Sequence, residues 1–238
     1  MIEFKNVKKY YGMKSVGLYD ESLVINDGEI VGILGKNGSG KTTMLKAIMG
    51  LCELKAGEIL IDGKPVSRQY EKMSFITEEG SFFPSMTPRE YGYFLADFIP
   101  SFSMERYCNL LKFFEIDAHA KIKTFSAGQK SKLEVSAGFS KGAKYILMDE
   151  PFMGKDMFTR RDFLKLMVSS LKGDETILIT THLIDEIENV LDRVVILLHG
   201  RIKADFYIDD MRSKGKTLAE VMAEVSGYEE DRYKKMNI

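Results

Sequence analysis

Two patterns of hydrophobic positions alternate along the chain and predict an α/β protein. Continuous apolar runs bounded by polar turns occur at residues 30–34, 145–148 and 176–179. Such runs are typical of parallel strands that are buried on both faces. The segment 158–171 between the last two runs fits the crossover helix of a β-α-β unit. We therefore expect a mainly parallel core sheet that is flanked by helices.

The pattern differs before and between these runs. Residues 1 to about 75 read as short strands and turns, and Asp62-Gly63 is a turn signal that predicts a hairpin between residues 59–61 and 64–66. We expect an N-terminal antiparallel β subdomain within the core of residues 1–77 and 142–215. Residues 78–141 are predicted to form an inserted helical subdomain, and residues 216–238 a C-terminal helix and tail.

The helical prediction depends on apolar residues that recur three or four positions apart. Between Pro88 and Lys141 they form three groups, and periodic apolar positions of this kind usually face inward. We therefore expect this aromatic-rich stripe to be core rather than binding surface. Its members are Tyr91, Phe94, Leu95, Phe98, Leu110, Leu111, Phe113, Phe114, Leu133, Val135 and Phe139.

A glycine-rich loop follows the first apolar run and indicates a nucleotide site. Residues 35–42, Gly-Lys-Asn-Gly-Ser-Gly-Lys-Thr, fill the pattern G-x-x-x-x-G-K-[ST], and a helix is predicted to begin near Thr43. Loop amides at a helix N-terminus would cradle a polyphosphate, Lys41 would reach the β- and γ-phosphates, and the Thr42 hydroxyl would bind Mg²⁺. The predicted nucleotide-binding residues here are Gly35, Asn37, Gly38, Ser39, Gly40, Lys41, Thr42 and Thr43.

Two acidic residues follow the run at 145–148. Ligands bind outside the carboxyl ends of parallel strands, so Asp149 should lie beside the phosphate loop and hold Mg²⁺. Glu150 is then placed to polarise a water that attacks the γ-phosphate. By itself an Asp-Glu pair at a strand end fits a solvated turn equally well, and the phosphate loop is what favours the catalytic reading.

His182 ends the neighbouring run and is predicted to reach the γ-phosphate, with Thr181 as the N-cap of the helix that follows. A lone histidine is more often structural. Ser126 and Gln129 form an S-x-x-Q capping box, which predicts a helix over residues 130–140. Such a box needs no further function and becomes informative only beside the other motifs.

Composition narrows the class of protein. The 238 residues carry 34 Lys and Arg against 35 Asp and Glu, a formal net charge of −1. No run of basic residues interleaved with aromatics is present, so nucleic acid is not an expected partner. Cys52 and Cys108 stand far apart and fit structural residues of a reducing compartment. The apolar runs are too short to cross a bilayer, and we expect contact with a membrane only through a partner.

Taken in order, these motifs resemble the ATP-binding subunits of ABC transporters over nearly the whole chain. The order is phosphate loop, a loop near Glu78, a signature sequence at residues 126–130, Asp149 with Glu150, a D-loop at residues 154–156, and His182. Tyr11 matches the aromatic residue that stacks on adenine in this family. More narrowly, the chain resembles the ATPase subunits of bacterial exporters.

The resemblance implies an activity and partners. Its cofactors would be ATP and Mg²⁺, with Glu150, His182 and Lys41 catalytic and with Thr42, Glu78 and Asp149 as metal ligands. A second ATPase subunit, identical or different, would present Ser126, Gly128 and Gln129 to the ATP held on the first phosphate loop. Hydrolysis would drive an integral membrane permease, and the chain would lie in the cytoplasm, peripheral to the cell membrane.

Three positions depart from the commonest family pattern. Glu78, or Glu79 in an alternative alignment, stands where Gln is usual, Ala127 replaces Gly in the signature, and Lys155 stands where Leu is common in the D-loop. Three other functions compete. They are a soluble ABC-type ATPase of translation or DNA repair, a phosphate-loop kinase or GTPase of another class, and a non-catalytic interaction protein. The first is disfavoured because no long heptad run is present. The second is disfavoured by the presence of the signature sequence, and the third by the presence of the complete catalytic set.

We expect Glu78→Gln to retain ATP binding and to slow turnover less than Glu150→Gln. The latter should lower turnover by roughly 10²–10⁴-fold, because it removes the general base. Steady-state phosphate release from the two purified variants measures both effects. Equal losses at the two positions would contradict this ranking.

Overall fold

The computed structural model describes residues 1–12, 15–77, 80–151, 157–170 and 173–227, and its strands form two sheets. The first is antiparallel, and in spatial order it contains β2 (Ser15–Ile25), β1 (Ile2–Tyr11), β4 (Ala56–Ile61) and β5 (Lys64–Pro65). The second contains β10 (Arg201–Tyr207), β9 (Arg193–Leu198), β3 (Ile30–Leu34), β8 (Thr176–Thr180), β7 (Tyr145–Asp149) and β6 (Met73–Ile76).

The helices agree with the predicted pattern in type and differ at some boundaries. They are α1 (Lys41–Ile48), α2 (Pro88–Phe98), α3 (Met104–Phe113), α4 (Ala127–Ser140), α5 (Met157–Ser170), α6 (Ile184–Ile187), α7 (Ile208–Ser213) and α8 (Leu218–Ser226). Two starts were predicted too late. Helix α1 begins at Lys41 rather than near Thr43, and α4 begins at Ala127 rather than at Lys130, directly after its Ser126 cap.

The second sheet is the parallel core sheet that the apolar runs predicted. Strands β9, β3, β8, β7 and β6 all run parallel, and only β10 pairs antiparallel with β9. Both faces of the sheet are buried. In β7, Ile146 and Met148 belong to one hydrophobic core while Tyr145 and Leu147 belong to the other. The alternation of side chains along a strand explains why these strands read as unbroken apolar runs.

The antiparallel sheet packs over one face of the core sheet, and the predicted hairpin joins β4 to β5. A buried arginine links the two sheets. The Arg193 guanidinium donates two hydrogen bonds of 2.7 Å to Asp205 and one of 2.8 Å to the Val24 carbonyl. The bidentate ion pair with Asp205 raises the pKa of Arg193, so this side chain stays charged despite its burial.

Helices α2, α3 and α4 form the inserted helical segment, and its aromatic residues divide between two environments. Tyr91 and Phe139 are buried in the core shared with the sheet, as expected, and Tyr107, which was not predicted, is buried there too. Phe98 is 72% exposed and Phe113 is also exposed. The prediction that the aromatic stripe is core is therefore wrong for these two residues. Of the helices in the described part of the chain, none combines the length and apolarity needed to cross a bilayer.

Helix α4 lies unusually close to β6 because of one glycine. A Cβ atom on Gly138 would stand 2.4 Å from Ile76 Cγ1, and the Ser74 hydroxyl donates a 3.0 Å hydrogen bond to the Gly138 carbonyl. Ile76 and Ser74 are both buried. A side chain at position 138 would therefore push the helix away from the sheet.

Gly138→Ala should destabilise the protein by about 1–3 kcal/mol through overpacking. Gly128 in the same helix is the matched control, because its added Cβ would meet only Ser126 Oγ, at 3.9 Å. Gly128→Ala should change the free energy of unfolding by less than about 1 kcal/mol, in the stabilising direction. Urea unfolding of both variants measures the difference, and equal effects would contradict the close helix–sheet contact.

Candidate nucleotide site

The glycine-rich loop is built by the close approach of three backbone segments. Strand β3 ends at Leu34, and the loop leads into α1 through Gly40, which has φ 112° and serves as the N-cap. A Cβ at Gly40 would stand 2.4 Å from the Gly17 carbonyl oxygen of β2. This left-handed residue is required for steric as well as conformational reasons. The first amides of α1 then lack intrahelical partners and lie at the positive end of the helix dipole.

The two residues that begin α1 connect the loop to the end of β7. Lys41 is only 6% exposed, and its Nζ donates a 2.9 Å hydrogen bond to the Gly35 carbonyl. The same Nζ lies 3.6 Å from Glu150 Oε1. The Thr42 hydroxyl donates a 3.1 Å hydrogen bond to Asp149 Oδ1. The predicted meeting of Asp149 with the phosphate loop is therefore present.

A threonine on the neighbouring strand holds the Asp149 carboxylate and the Glu150 backbone in place. The Thr180 hydroxyl lies 2.6 Å from Asp149 Oδ1, to which it donates, and 3.0 Å from the Glu150 amide, from which it accepts. The Thr180 carbonyl also accepts from that amide, at 3.1 Å. Glu150 has φ 47°, a left-handed conformation that is uncommon outside glycine. This backbone turn directs the strand end towards Lys41, and such positions cluster at functional sites.

His182 follows β8 and contacts the same glutamate. Its Nδ1 lies 3.1 Å from Glu150 Oε1, and half of its side chain is exposed. The predicted N-cap role of Thr181 is wrong. Its hydroxyl accepts a 3.0 Å hydrogen bond from the Leu183 amide, and this turn ends before α6 begins at Ile184. The local side-chain bond therefore shapes the turn after His182 instead of capping the helix.

Lys41, Thr42, Asp149 and Glu150 line one pocket of about 470 Å³ at the carboxyl ends of the parallel strands, and His182 is not among its lining residues. Tyr11 lies at its edge with nearly half of its side chain area exposed, and its hydroxyl is 3.4 Å from Thr43 Oγ1. The lining residues are Tyr11, Val16, Gly17, Asn37, Gly38, Ser39, Gly40, Lys41, Thr42, Thr43, Asp149 and Glu150. Most of the predicted nucleotide-binding residues are thus in one place.

Other predicted residues lie outside this pocket. Gly35 begins the loop but contributes its carbonyl to Lys41 rather than a surface to the pocket. Ser126, Gly128 and Gln129 are not among the described lining residues, and they lie at the start of α4. The capping box is confirmed, since the Ser126 hydroxyl accepts from the Gln129 amide and the Gln129 side chain accepts from the Ser126 amide.

Two predicted motifs lie outside the described residues. They are Glu78, with its alternative Glu79, and the D-loop at residues 154–156.

The sequence analysis also missed contributors that the structure reveals. Val16 and Gly17 enter from β2, and Thr180 orients the Asp149 carboxylate and the Glu150 backbone. The position of Thr180 at a strand end beside the Asp149 strand was a usable signal, whereas nothing in the sequence pointed to Val16 or Gly17.

One polar atom of the loop lacks a partner. Ser39 Oγ is buried and has no hydrogen-bond partner among the residues that the structure describes. Buried hydroxyls are nearly always paired, so an unpaired one beside a phosphate loop suits a site that receives an anionic ligand. With Lys41, the loop amides and the aromatic edge at Tyr11, the geometry defines a phosphate-loop nucleotide site.

Comparison with known proteins gives the same class. The family described as ABC transporter matches residues 18–153. The ABC transporter ATP-binding protein YtrB of Bacillus subtilis (strain 168) is 32% identical over 218 residues, which cover 90% of this chain and 74% of that protein. Nod factor export ATP-binding protein I of Burkholderia orbicola (strain AU 1054) is 34% identical over 214 residues, or 84% of this chain and 68% of that protein.

Solved structures agree with the sequence relatives. The structure of an ATP-binding subunit of an ABC transporter superposes with a TM-score of 0.84 at 29% identity, covering 95% of this chain and 99% of that one. A dimeric ATP-binding cassette in a post-hydrolysis state, bound to ADP and Pi, superposes with a TM-score of 0.78 at 25% identity, covering 87% of this chain and 99% of that one.

The chain therefore belongs to the ABC transporter family, of which it is an ATP-binding subunit and an ATPase. The resemblance inferred from the order of the motifs and the predicted α/β fold are both confirmed.

Proposed function

We propose that two such subunits enclose two ATP molecules and drive export through a separate integral membrane permease. The observation that carries this proposal is the convergence of Lys41, Thr42, Asp149 and Glu150 on one loop-lined pocket, with His182 in contact with Glu150. Each of these side chains suits a different part of phosphoryl transfer to water, which depends mainly on positioning and electrostatic stabilisation.

The pocket has the character of half a site. Its lining comes from the phosphate-loop side, while Ser126 caps the N-terminus of α4 outside the pocket. The first-turn amides of a capped helix favour an anion. A second subunit, identical or different, would place its Ser126, Gly128 and Gln129 against the γ-phosphate of the ATP held here. The dimeric assembly of a similar cassette supports this arrangement.

Glu150 acts as the general base. It accepts a proton from the attacking water as the water oxygen bonds to the γ-phosphorus and the bond from that phosphorus to the β,γ-bridging oxygen breaks. The hydroxyl and the carbonyl of Thr180 both accept from the Glu150 amide. These bonds fix the backbone position from which the Glu150 side chain extends. His182 contacts Glu150 Oε1 and orients that carboxylate while it remains exposed enough to meet the γ-phosphate.

Lys41 supplies the positive charge at the phosphates. Its ammonium group is buried and is satisfied by the Gly35 carbonyl and by Glu150. A triphosphate would offer stronger anionic partners than a carbonyl, and Lys41 would then neutralise charge on the β- and γ-phosphate oxygens. Tyr11 at the edge of the pocket offers an aromatic face for the adenine, with Lys9 Nζ lying 4.9 Å from its ring centroid.

The donor set at the end of β7 suits Mg²⁺. The Thr42 hydroxyl and the Asp149 carboxylate are hard oxygen ligands that stand 3.1 Å apart, and Mg²⁺ typically takes one or two protein oxygens beside substrate phosphates. Thr42 and Asp149 would hold the ion, with Glu78 as a further ligand. Bound there, Mg²⁺ would neutralise charge on the phosphate oxygens.

The helical segment offers a surface for the permease. Phe83 and Phe98 are exposed large aromatics, and both contact Phe94, with ring centroids 5.1 Å and 4.8 Å apart. A contiguous exposed apolar patch of this kind marks an interaction site. Export is the direction that we assign, supported by relatives named for export. The chain would then lie in the cytoplasm on the inner face of the cell membrane.

Tyr11→Ala should weaken ATP binding roughly tenfold, because base–aromatic stacking is worth about 1–3 kcal/mol. Tyr11→Phe is the matched control, since it keeps the ring and removes only the hydroxyl that lies 3.4 Å from Thr43. Titration with a fluorescent ATP analogue gives both dissociation constants. Similar weakening in the two variants would show that the hydroxyl, rather than the ring, holds the nucleotide.

The enclosed-ATP mechanism predicts a change of assembly. Purified Glu150→Gln protein with Mg-ATP should shift from monomer to dimer on size exclusion with light scattering, because ATP is bound and not hydrolysed. Mg-ADP should leave it a monomer. If ATP binds but the protein remains a monomer, then self-association is wrong and a different partner subunit or the permease is required.

The transporter assignment is tested on the native complex. Detergent extraction followed by pull-down of this chain should recover a polytopic membrane protein, identified by mass spectrometry. Recovery of ribosomal or repair proteins from the soluble fraction would instead favour a soluble ATPase of translation or DNA repair and contradict a role in export.

A further inference from the structure

A buried carboxylate in α4 has no part in the chemistry described so far. Glu134 is 2% exposed, and its carboxylate accepts a 2.9 Å hydrogen bond from the Ser81 amide and 3.1 Å hydrogen bonds from the Ser81 hydroxyl. The Tyr91 hydroxyl completes this hydrogen-bond network by donating to Ser81 Oγ over 3.1 Å. Burial raises the pKa of Glu134, which is the cost expected of a carboxyl placed inside a protein.

This network joins three parts of the helical segment. Glu134 lies in the middle of α4, Tyr91 lies in α2, and Ser81 belongs to the chain that runs from β6 to α2. The Glu134 carboxylate accepts from both the amide and the hydroxyl of Ser81. The contact therefore fixes the position of Ser81 relative to α4 rather than merely filling space.

A second attachment lies one helical turn further along α4. Gly138 is four residues after Glu134, on the same face, and it is pressed against β6 through Ile76 and bonded to the Ser74 hydroxyl. Helix α4 is thus fastened to β6 at Gly138 and to the chain that leaves β6 at Ser81. The two contacts lie on opposite sides of the point at which that chain leaves the sheet.

That exit point lies one strand away from Asp149, which lines the nucleotide pocket. In the parallel pair β6–β7, Ile76 is in register with Met148, so the residue after Ile76 is level with Asp149. A displacement of Asp149 would therefore act on the neighbouring residue at the end of β6. Glu134 lies eight residues from Ser126, about 12 Å along a helix that behaves as a rigid rod. A small shift of Ser81 would move the start of α4.

We propose that Glu134 is a positioning residue that ties the chain leaving β6 to α4, so that nucleotide in one pocket aligns Ser126 for the ATP of the second subunit. This inference rests on the two-subunit arrangement proposed above. It assigns the coupling to one carboxylate–serine contact, and Glu134 itself touches no nucleotide.

The test compares Ser81→Ala and Glu134→Gln with Tyr107→Phe, each placed in the Glu150→Gln background. Tyr107→Phe is the matched control because it removes a buried 2.9 Å hydrogen bond, to the Pro88 carbonyl, that joins α3 to α2 without touching α4. Two quantities are measured for each protein. They are the dissociation constant for ATP of the monomer, from a fluorescent analogue, and the dissociation constant of the ATP-bound dimer, from sedimentation.

Ser81→Ala and Glu134→Gln should each weaken the dimer about tenfold and leave monomer ATP affinity within about twofold, since neither residue lines the pocket. Because the two residues share one contact, the double variant should weaken the dimer little more than the single variants. Tyr107→Phe should lower the melting temperature and leave both dissociation constants unchanged. In the Glu150-containing enzyme, the Hill coefficient for ATP should fall with Ser81→Ala and stay constant with Tyr107→Phe.

Normal dimerisation of all variants would overturn this inference and leave the proposed function intact. Equal weakening of the dimer by Ser81→Ala and Tyr107→Phe would have the same two consequences. Failure of the Glu150→Gln parent to dimerise would contradict the two-subunit arrangement itself and this inference with it.

Discussion

The register of three neighbouring parallel strands is the constraint on which the nucleotide site depends. Ile33 of β3 is paired with Thr180 of β8, and Thr180 is paired with Asp149 of β7. The phosphate loop, the threonine hydroxyl and the acidic pair therefore leave the sheet at one level. Since side chains alternate between faces, a slip of one residue in β7 would exchange its two buried faces and move Asp149 away from Thr42. That slip would break the hydrogen bonds between Asp149 and both Thr42 and Thr180 and disturb the packing of each face, which makes it unfavourable.

Charge balance within the pocket follows from this alignment. One buried ammonium, that of Lys41, stands between the Gly35 carbonyl and the Glu150 carboxylate. A buried charge is tolerated only when it is paired, and both partners are held by the backbone on each side of the pocket. Glu150 owes its position to an uncommon left-handed turn that two bonds from Thr180 support. The site is organised before a ligand arrives, and such preorganisation is the main source of electrostatic catalysis.

Helix α4 joins the helical segment to the strand at the edge of the core sheet. It touches β6 at Gly138 and the following chain at Ser81, while Phe83 and Phe98 are exposed. The helical segment also shares one hydrophobic core with the sheet, so a shift of β6 would be passed to α4 through packed side chains. The apolar residues that periodicity assigned to the core thus serve two purposes. Tyr91 is buried and stabilises the segment, whereas Phe98 is exposed.

Features set by neighbours in the chain could be predicted from the sequence alone. The hairpin at Asp62-Gly63, the phosphate loop and the capping box of Ser126 and Gln129 all depend on contacts within a few residues, and the buried strands are marked by their local apolar runs. Their order also identified the family. What the sequence left undecided depends on segments far apart in the chain. The start of α1 at Lys41 follows from the packing of Gly40 on Gly17. The contacts of Thr180 follow from the position of β8 beside β7. The exposure of Phe98 depends on how α2 lies on its neighbours. Periodicity marks which face of an element is apolar, but only tertiary packing decides how much of that face another element covers.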